Sequence, residues 1–212
     1  MCLRNIGILF NGSFMYYTVK GQCDALLKSL SLAHGHHGTK CLHHERADFE
    51  YYLKTTSTHK KDSSLMIVHV HGRKSWAGCT DFQASYGGVY HIVCSQSRDP
   101  SIKTHPNLLT VAGSVPEALE YIADLNRNGK LDSVWVMGGA GIYQECLSHP
   151  LCGRIYLTHV YKDFPSDTFF PPFDDDFREV KNDATSDTYH EEDGISFEFK
   201  VYQNIRKSNT SI

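Results

Sequence analysis

Two adjacent glycines at the end of an apolar run, in VWVMGGAGIYQECL from Val134 to Leu147, constrain the fold more than any other feature. The residues SVWVM, 133 to 137, read as a short buried strand, and IYQECL reads as a helix. The chain must pass from one to the other within Gly138, Gly139, Ala140 and Gly141, so the strand ends where the helix begins. Such a turn is the joint of a β-α unit.

The same grammar recurs upstream. LMIVHVHG, 65 to 72, is a β-rich run that ends on a glycine, and VYHIVC, 89 to 94, is a strand that ends at Ser95. A helix is predicted from Val115 to Leu125, with Ser114 at its start and Pro116 in its first turn. Another is predicted from Glu45 to Thr56, where Phe49, Tyr52 and Leu53 lie three and four apart on one face. NIGILF, 5 to 10, reads as a first strand, and a helical segment is expected around Asp24 to Leu32. Strands alternating with helices imply a doubly wound α/β fold with a mostly parallel central sheet. After Gly153 the style changes: RIYLTHV is followed by a Pro- and Asp-rich loop and then ISFEFKVYQNI, whose alternation predicts an antiparallel C-terminal edge strand.

No internal repeat or linker divides the chain. A single domain over residues 1–205 is therefore expected, loop-rich through residue 44, with a disordered tail at 206–212. No apolar run is long enough to span a bilayer, and no secretory leader is recognisable, which points to the cytosol. Cys2, Cys23, Cys41, Cys79, Cys94, Cys146 and Cys152 are odd in number and show no CxxC spacing, so reduced thiols are expected. A net charge of −3 argues against a nucleic-acid surface, and any phosphate recognition must be local.

Three strand ends supply such recognition. At Gly138 to Gly141 the backbone can approach a pyrophosphate while the helix start offers unpaired N–H groups. At Gly72 the strand leads to Arg73, Lys74 and Ser75, two cations and a hydroxyl at a helix start; a solvated basic turn is the plainer reading. Ser95, Gln96, Ser97 and Arg98 add further donors. In a doubly wound sheet, ligands bind beyond the carboxyl ends of the strands. A dinucleotide with an extra phosphate fits three separated donor sites.

The strings DFEYYLKTT, GRKSW, VWVMGGAGIYQECLSHP and DFPSDTFFP stand in the order and approximate spacing seen in dihydrofolate reductases, and the chain resembles that family over roughly residues 45 to 205. The resemblance implies NADPH as cofactor, dihydrofolate as substrate and a monomeric oxidoreductase of one-carbon metabolism. It assigns Arg73, Lys74 and Ser75 to the cofactor phosphates and Ser95, Gln96 and Ser97 to the neighbourhood of the 2′-phosphate. Gly138, Gly139, Ala140, Gly141, Ile142, Tyr143, Gln144 and Glu145 match the segment around pyrophosphate and nicotinamide, with the Gly138-Gly139 bond expected to be cis.

On the substrate side the resemblance assigns Asp48 as the pocket carboxylate and Thr158 as the threonine bonded to it. Phe49, Tyr52, Leu53 and Tyr143 would line the substrate. A carboxylate can accept a pterin ring N–H and its exocyclic amine in a fork, and a buried acid helps to supply the proton that accompanies hydride transfer. Read without the resemblance, Asp48 is a carboxylate that stabilises a helix N-terminus, and the aromatic residues are core.

The chain also departs from the pattern. NGSFMYYTVKGQCDALLKSL contains no Leu-Pro-Trp closing segment, and Gly88-Val89-Tyr90 stands where an arginine would bind the folate carboxylate; Arg46 is a candidate replacement. The loop from Ala77 to Gly87 has no Ile-Pro. The rival reading is a catalytically weak or inactive protein that keeps the fold as an NADPH-binding or interaction module. His34, His36, His37, His43 and His44, with Cys41, match no regular ligand spacing, so no metal is expected.

Overall fold

The computed structural model describes residues 6–9, 15–18, 27–31, 47–58, 62–79, 84–97, 102–161, 168–173, 175–181, 189–192 and 194–206. For residues 6–31, and at Asp48, Phe49, Thr168 and Phe169, the description is of backbone alone. The chain forms two compact units: Met1–Leu9 with Leu53–Gly153, and Phe10–Tyr52 with Arg154–Ile212.

The first unit is built on a parallel sheet. Its strands are β1 (Ile6–Leu9), β4 (Met66–Gly72), β5 (Tyr90–Cys94), β6 (Leu108–Ala112) and β7 (Leu131–Val136), in the order β6-β5-β4-β7-β1. Each neighbouring pair is parallel. The middle strands are buried along nearly their whole length, as expected of a sheet covered on both faces by crossover helices. Strand β6 was not expected from the sequence. Its residues LLTVA are half-buried until Ala112, and their identity as a strand comes from pairing with β5.

Helix α1 (Ala47–Thr56) occupies the predicted position, and α2 (Arg73–Ala77) follows β4 without an intervening loop. Helix α3 (Val115–Arg127) begins as predicted. Ser114 Oγ accepts the Glu117 N–H, and Glu117 reaches back to accept the Gly113 N–H at 2.8 Å. Val115, Ala118 and Ile122, spaced three and four apart, form its buried stripe. It ends at Asn128, followed by Gly129 at φ +66°, a conformation that suits a glycine after a helix. Helix α4 (Ala140–Leu147) begins at the paired glycines.

The second unit contains β8 (Cys152–Val160, from Arg154 on) and β12 (Ile195–Asn204), which run antiparallel with Thr158 opposite Phe199. The final strand is antiparallel, as expected, and it also pairs with two short strands, β10 (Phe177–Val180) and β11 (His190–Glu192). Strands β2 (Met15–Thr18), β3 (Leu27–Ser31) and β9 (Thr168–Phe170) continue the pairing in the order β8-β2-β3-β9.

The helix expected around Asp24 to Leu32 is corrected at its described part. Leu27–Ser31 is a strand between β2 and β9, antiparallel to both. Leu27 and Leu30 have the three-residue spacing of a helix, but backbone ladders on both sides outweigh a local preference of a few tenths of a kcal/mol per residue.

Candidate functional site

The carboxyl ends of β5, β4 and β7 lie along one edge of the parallel sheet, and the three predicted donor segments lie there with them. Gly72 donates its N–H to the Gly138 carbonyl oxygen at 2.5 Å, which holds the start of α2 beside the turn into α4. A Cβ at Gly72 would meet Ile142 Cγ1 at 3.1 Å, Gly138 O at 3.3 Å and Gly139 N at 3.4 Å. A side chain there would require these neighbours to give way by a few tenths of an ångström.

The Gly138-Gly139 peptide bond is cis, as expected, and Gly138 has φ +91°. A Cβ on Gly138 would fall 2.6 Å from Tyr143 Cε2, so the buried Tyr143 ring occupies the space that the absent side chain leaves. Tyr143 N–H bonds Gly139 O at 3.0 Å, closing the first turn of α4.

Neither Gly72 before α2 nor Gly139 before α4 supplies a side-chain cap, and neither first turn contains an acid. Gly141 is exposed, and a Cβ there would meet nothing within 4 Å. Arg73 and Lys74 are exposed, Ser75 is half-buried, and Trp76 fastens α2 by donating its indole N–H to Lys103 O at 2.7 Å. At the end of β5, Ser95 is buried with its Oγ 3.4 Å from that of Ser97, while Gln96 and Ser97 are exposed. Gly139, Ala140 and Ile142 are half-buried, and Gln144 and Glu145 are exposed. Arg98 lies outside the described residues.

This set of groups fits a phosphorylated dinucleotide. Backbone N–H groups at a wide, glycine-lined turn suit a pyrophosphate, and flanking cations and hydroxyls suit further phosphate oxygens.

In the second unit, Thr158 is buried at 5% exposure on β8, opposite Phe199. Tyr51 of α1 stacks on Phe199 with ring centroids 4.0 Å apart and planes at 19°. Ala47 N–H donates to Glu192 Oε1 at 2.7 Å. These contacts set the first turn of α1, where Asp48 and Phe49 stand, against the β8-β12 ladder that contains Thr158. The side chains of Asp48 and Phe49 lie outside the described residues, as does Arg46. Tyr52 is buried, as is Leu53.

Residues 39–204 match the family model described as dihydrofolate reductase. The chain belongs to the dihydrofolate reductase family. It is 30% identical over 163 residues to the dihydrofolate reductase of Aedes albopictus, covering 76% of this chain and 86% of that one. With the Drosophila melanogaster dihydrofolate reductase it shares 29% identity over 159 residues, covering 74% and 84%. Its fold is similar to that of Schistosoma mansoni dihydrofolate reductase, with a TM-score of 0.69, 21% identity and coverage of 95% and 98%.

Among the described residues Cys79, Cys94, Cys146 and Cys152 form no disulfide; Cys2, Cys23 and Cys41 lie outside them. Burial pushes the Cys94 thiol up to about 11 and the Cys146 thiol up to about 12, with nearby acidic groups adding to the shift. Neither is a nucleophile at neutral pH.

Sequence reasoning did not single out His69, His71 and His91, which the fold gathers into a buried group. The signal available was the alternation V-H-V-H in β4, which puts two imidazoles on one face of a strand.

Proposed function

We propose that this protein reduces 7,8-dihydrofolate to 5,6,7,8-tetrahydrofolate with NADPH. The observation that supports this most strongly is the sheet edge where two uncapped helix starts meet through Gly72 and Gly138, with Arg73 and Lys74 beside them. Arg73, Lys74 and Ser75 would hold cofactor phosphates, Gly138 to Ile142 the pyrophosphate, and Ser95, Gln96 and Ser97 the 2′-phosphate. When bound, NADPH supplies the hydride.

The protein's own part is to orient and protonate. Asp48, in the first turn of α1, accepts the pterin ring N–H and exocyclic amine as a fork and polarises the ring for proton delivery at N5. Thr158 would donate its hydroxyl to that carboxylate and fix its direction. Tyr52, Leu53 and Phe49 would line the substrate rings, and Tyr143, whose ring packs against Gly138, would back the turn that bears the nicotinamide. The buried Thr158, and the packing of the first turn of α1 through Ala47 and Tyr51, support these roles.

No helix among the described residues is long and apolar enough to cross a membrane. The cytosolic location and monomeric state expected from the sequence belong to the same proposal. The reading is tested by incubating the chain with dihydrofolate and NADPH and identifying both products. Tetrahydrofolate formed in step with NADP supports it. NADPH binding without turnover favours the non-catalytic binding module instead.

A further inference from the structure

The first unit contains a second group of chemically capable side chains, on β4 and β5 just short of the phosphate-binding edge. His69 and His71 alternate along β4 and therefore share a face of the sheet, and His91 on β5 is the register partner of His69. All three are buried, at 2%, 4% and 1% exposure, and each offers a nitrogen within 4.8 Å of the others. The ring centroids lie 5.1 Å apart for His71 and His91 and 5.6 Å apart for His69 and His91.

Hydrogen bonds determine which nitrogens are basic. His91 Nε2 lies 2.9 Å from Ala84 O, and His69 Nε2 lies 3.2 Å from Thr56 O. A carbonyl only accepts, so both Nε2 atoms bear the proton and both Nδ1 atoms hold a lone pair. His71 Nε2 lies 3.0 Å from His91 Nδ1, and since that Nδ1 has no proton, His71 is the donor. An imidazole whose distal N–H is anchored on a carbonyl is the usual form of a metal-ligating histidine, because the anchor sets both tautomer and ring direction. Burial holds His91 down at about 4, His69 at about 3 and His71 well below its ordinary value; repulsion from His91 adds to the effect on His69 and His71 and repulsion from His105 to that on His91, while the Ala84 and Thr56 carbonyls partly offset it for His91 and His69. The rings are neutral at physiological pH, which is the ligating form.

We propose that His69, His71 and His91 form a buried site for one divalent transition-metal ion of the zinc class. Imidazole nitrogens without a thiolate suit zinc, cobalt or copper, and the absence of a carboxylate from the trio disfavours magnesium or calcium. Two nitrogens on one tetrahedral ion stand about 3.3 Å apart, from metal–nitrogen bonds of about 2.0–2.1 Å. The 3.0 Å His71–His91 separation is close to this, and the widest spacing closes by about 1.5 Å. On binding, the N–H···N bond is replaced by two bonds to the metal, and His71 keeps its single proton by moving it to Nδ1. The ion would tie β4 to β5 directly beneath Gly72 and Arg73. This differs from the metal-free expectation drawn from the sequence, and it is independent of the reductase reading.

The chain's two tryptophans provide a local readout. Trp76 lies 4.9 Å from the His91 ring and 5.4 Å from that of His71, and Trp135 is the register partner of His69 on β7. The full chain, with His34, His36, His37, His43 and His44 changed to Asn to remove the other histidine-rich segment, is refolded with cobalt(II), because the trio is closed to solvent once folded. The expected result is a single bound cobalt with tetrahedral visible absorption, quenching of most tryptophan emission, displacement by zinc, and a melting temperature raised by several degrees. His71→Asn in the same background should weaken cobalt binding by roughly 100-fold or more, the usual scale for loss of a metal ligand. If that variant does not fold, X-ray absorption of the loaded parent decides, with three imidazoles on the metal expected. A folded parent that retains no cobalt, quenching unchanged by His71→Asn, or a metal bearing fewer than three imidazoles would each overturn the proposal.

Discussion

The Gly72 N–H and the Gly138 carbonyl oxygen are 2.5 Å apart, so two strand-to-helix turns separated by 65 residues of sequence behave as one piece of backbone. Everything proposed for phosphate binding depends on that contact, because it brings the starts of two helices to one place.

Substitution Gly138→Ala should break this arrangement. The added methyl would lie 2.6 Å from the Tyr143 ring, and φ +91° is a conformation that an L side chain rarely adopts. We expect a loss of about 1–3 kcal/mol in stability and a fall in NADPH affinity larger than the same loss of stability produces elsewhere. Thermal melting and cofactor titration check both; a variant that binds NADPH normally would show that the turn is not part of the site.

Arg73 and Lys74 are exposed, so their replacement should change binding and not folding. A hydrogen bond to a charged group contributes about 1.5–3 kcal/mol, which for Arg73→Ala is roughly a 10- to 100-fold rise in the NADPH dissociation constant. The melting temperature should stay within a degree or two, and the salt dependence of cofactor binding should flatten. Isothermal titration at two salt concentrations makes the comparison.

The choice between NADPH and NADH should be sensitive to Ser97, which is exposed at the end of β5 with its hydroxyl 3.4 Å from that of Ser95. Ser97→Glu places a negative charge where a 2′-phosphate is proposed. Like-charge opposition is an effective means of discrimination, and the preference for NADPH over NADH should fall by roughly 10-fold or more. Affinity for NADH, which has no such phosphate, should change little.

His159 makes stability depend on pH. Burial, with repulsion from Lys200 and partial relief from Glu198, holds its pKa at about 4, and its Nε2 lies 2.9 Å from the Tyr202 hydroxyl. The folded value lies below the unfolded one, so the unfolded state takes up the proton first as pH falls. The contribution is complete above about pH 6.5 and is lost as pH falls toward 4, at up to about 1.4 kcal/mol per pH unit and about 3 kcal/mol in all. Denaturant midpoints across that range should fall in the parent and fall less in His159→Gln.

The sequence was most readable where local chemistry decides the structure. Ser114, Pro116 and Glu117 mark the start of α3, and Gly72 and the Gly138-Gly139 pair mark strand ends, because caps and tight turns depend on the residues that form them. It was least readable where the partner decides. Leu27–Ser31 became a strand through β2 and β9, and Leu108–Ala112 through β5, and neither partner is visible in a local pattern. The histidine group was missed for the same reason. His69 and His71 are two residues apart, but His91 joins them only through the register of β4 with β5. On the substrate side, Tyr52 and Thr158 are buried, while Asp48 reads by itself only as a helix-start carboxylate and takes a role from the family resemblance.

The most direct test of the central claim is the rate of NADPH consumption with dihydrofolate, measured for the parent chain and for Asp48→Asn after both are shown to bind NADPH equally. The account predicts measurable turnover in the parent and a fall of roughly 100-fold or more in the variant, the scale expected for loss of an acid that assists proton transfer. A parent no faster than Asp48→Asn, with cofactor bound to both, would contradict it.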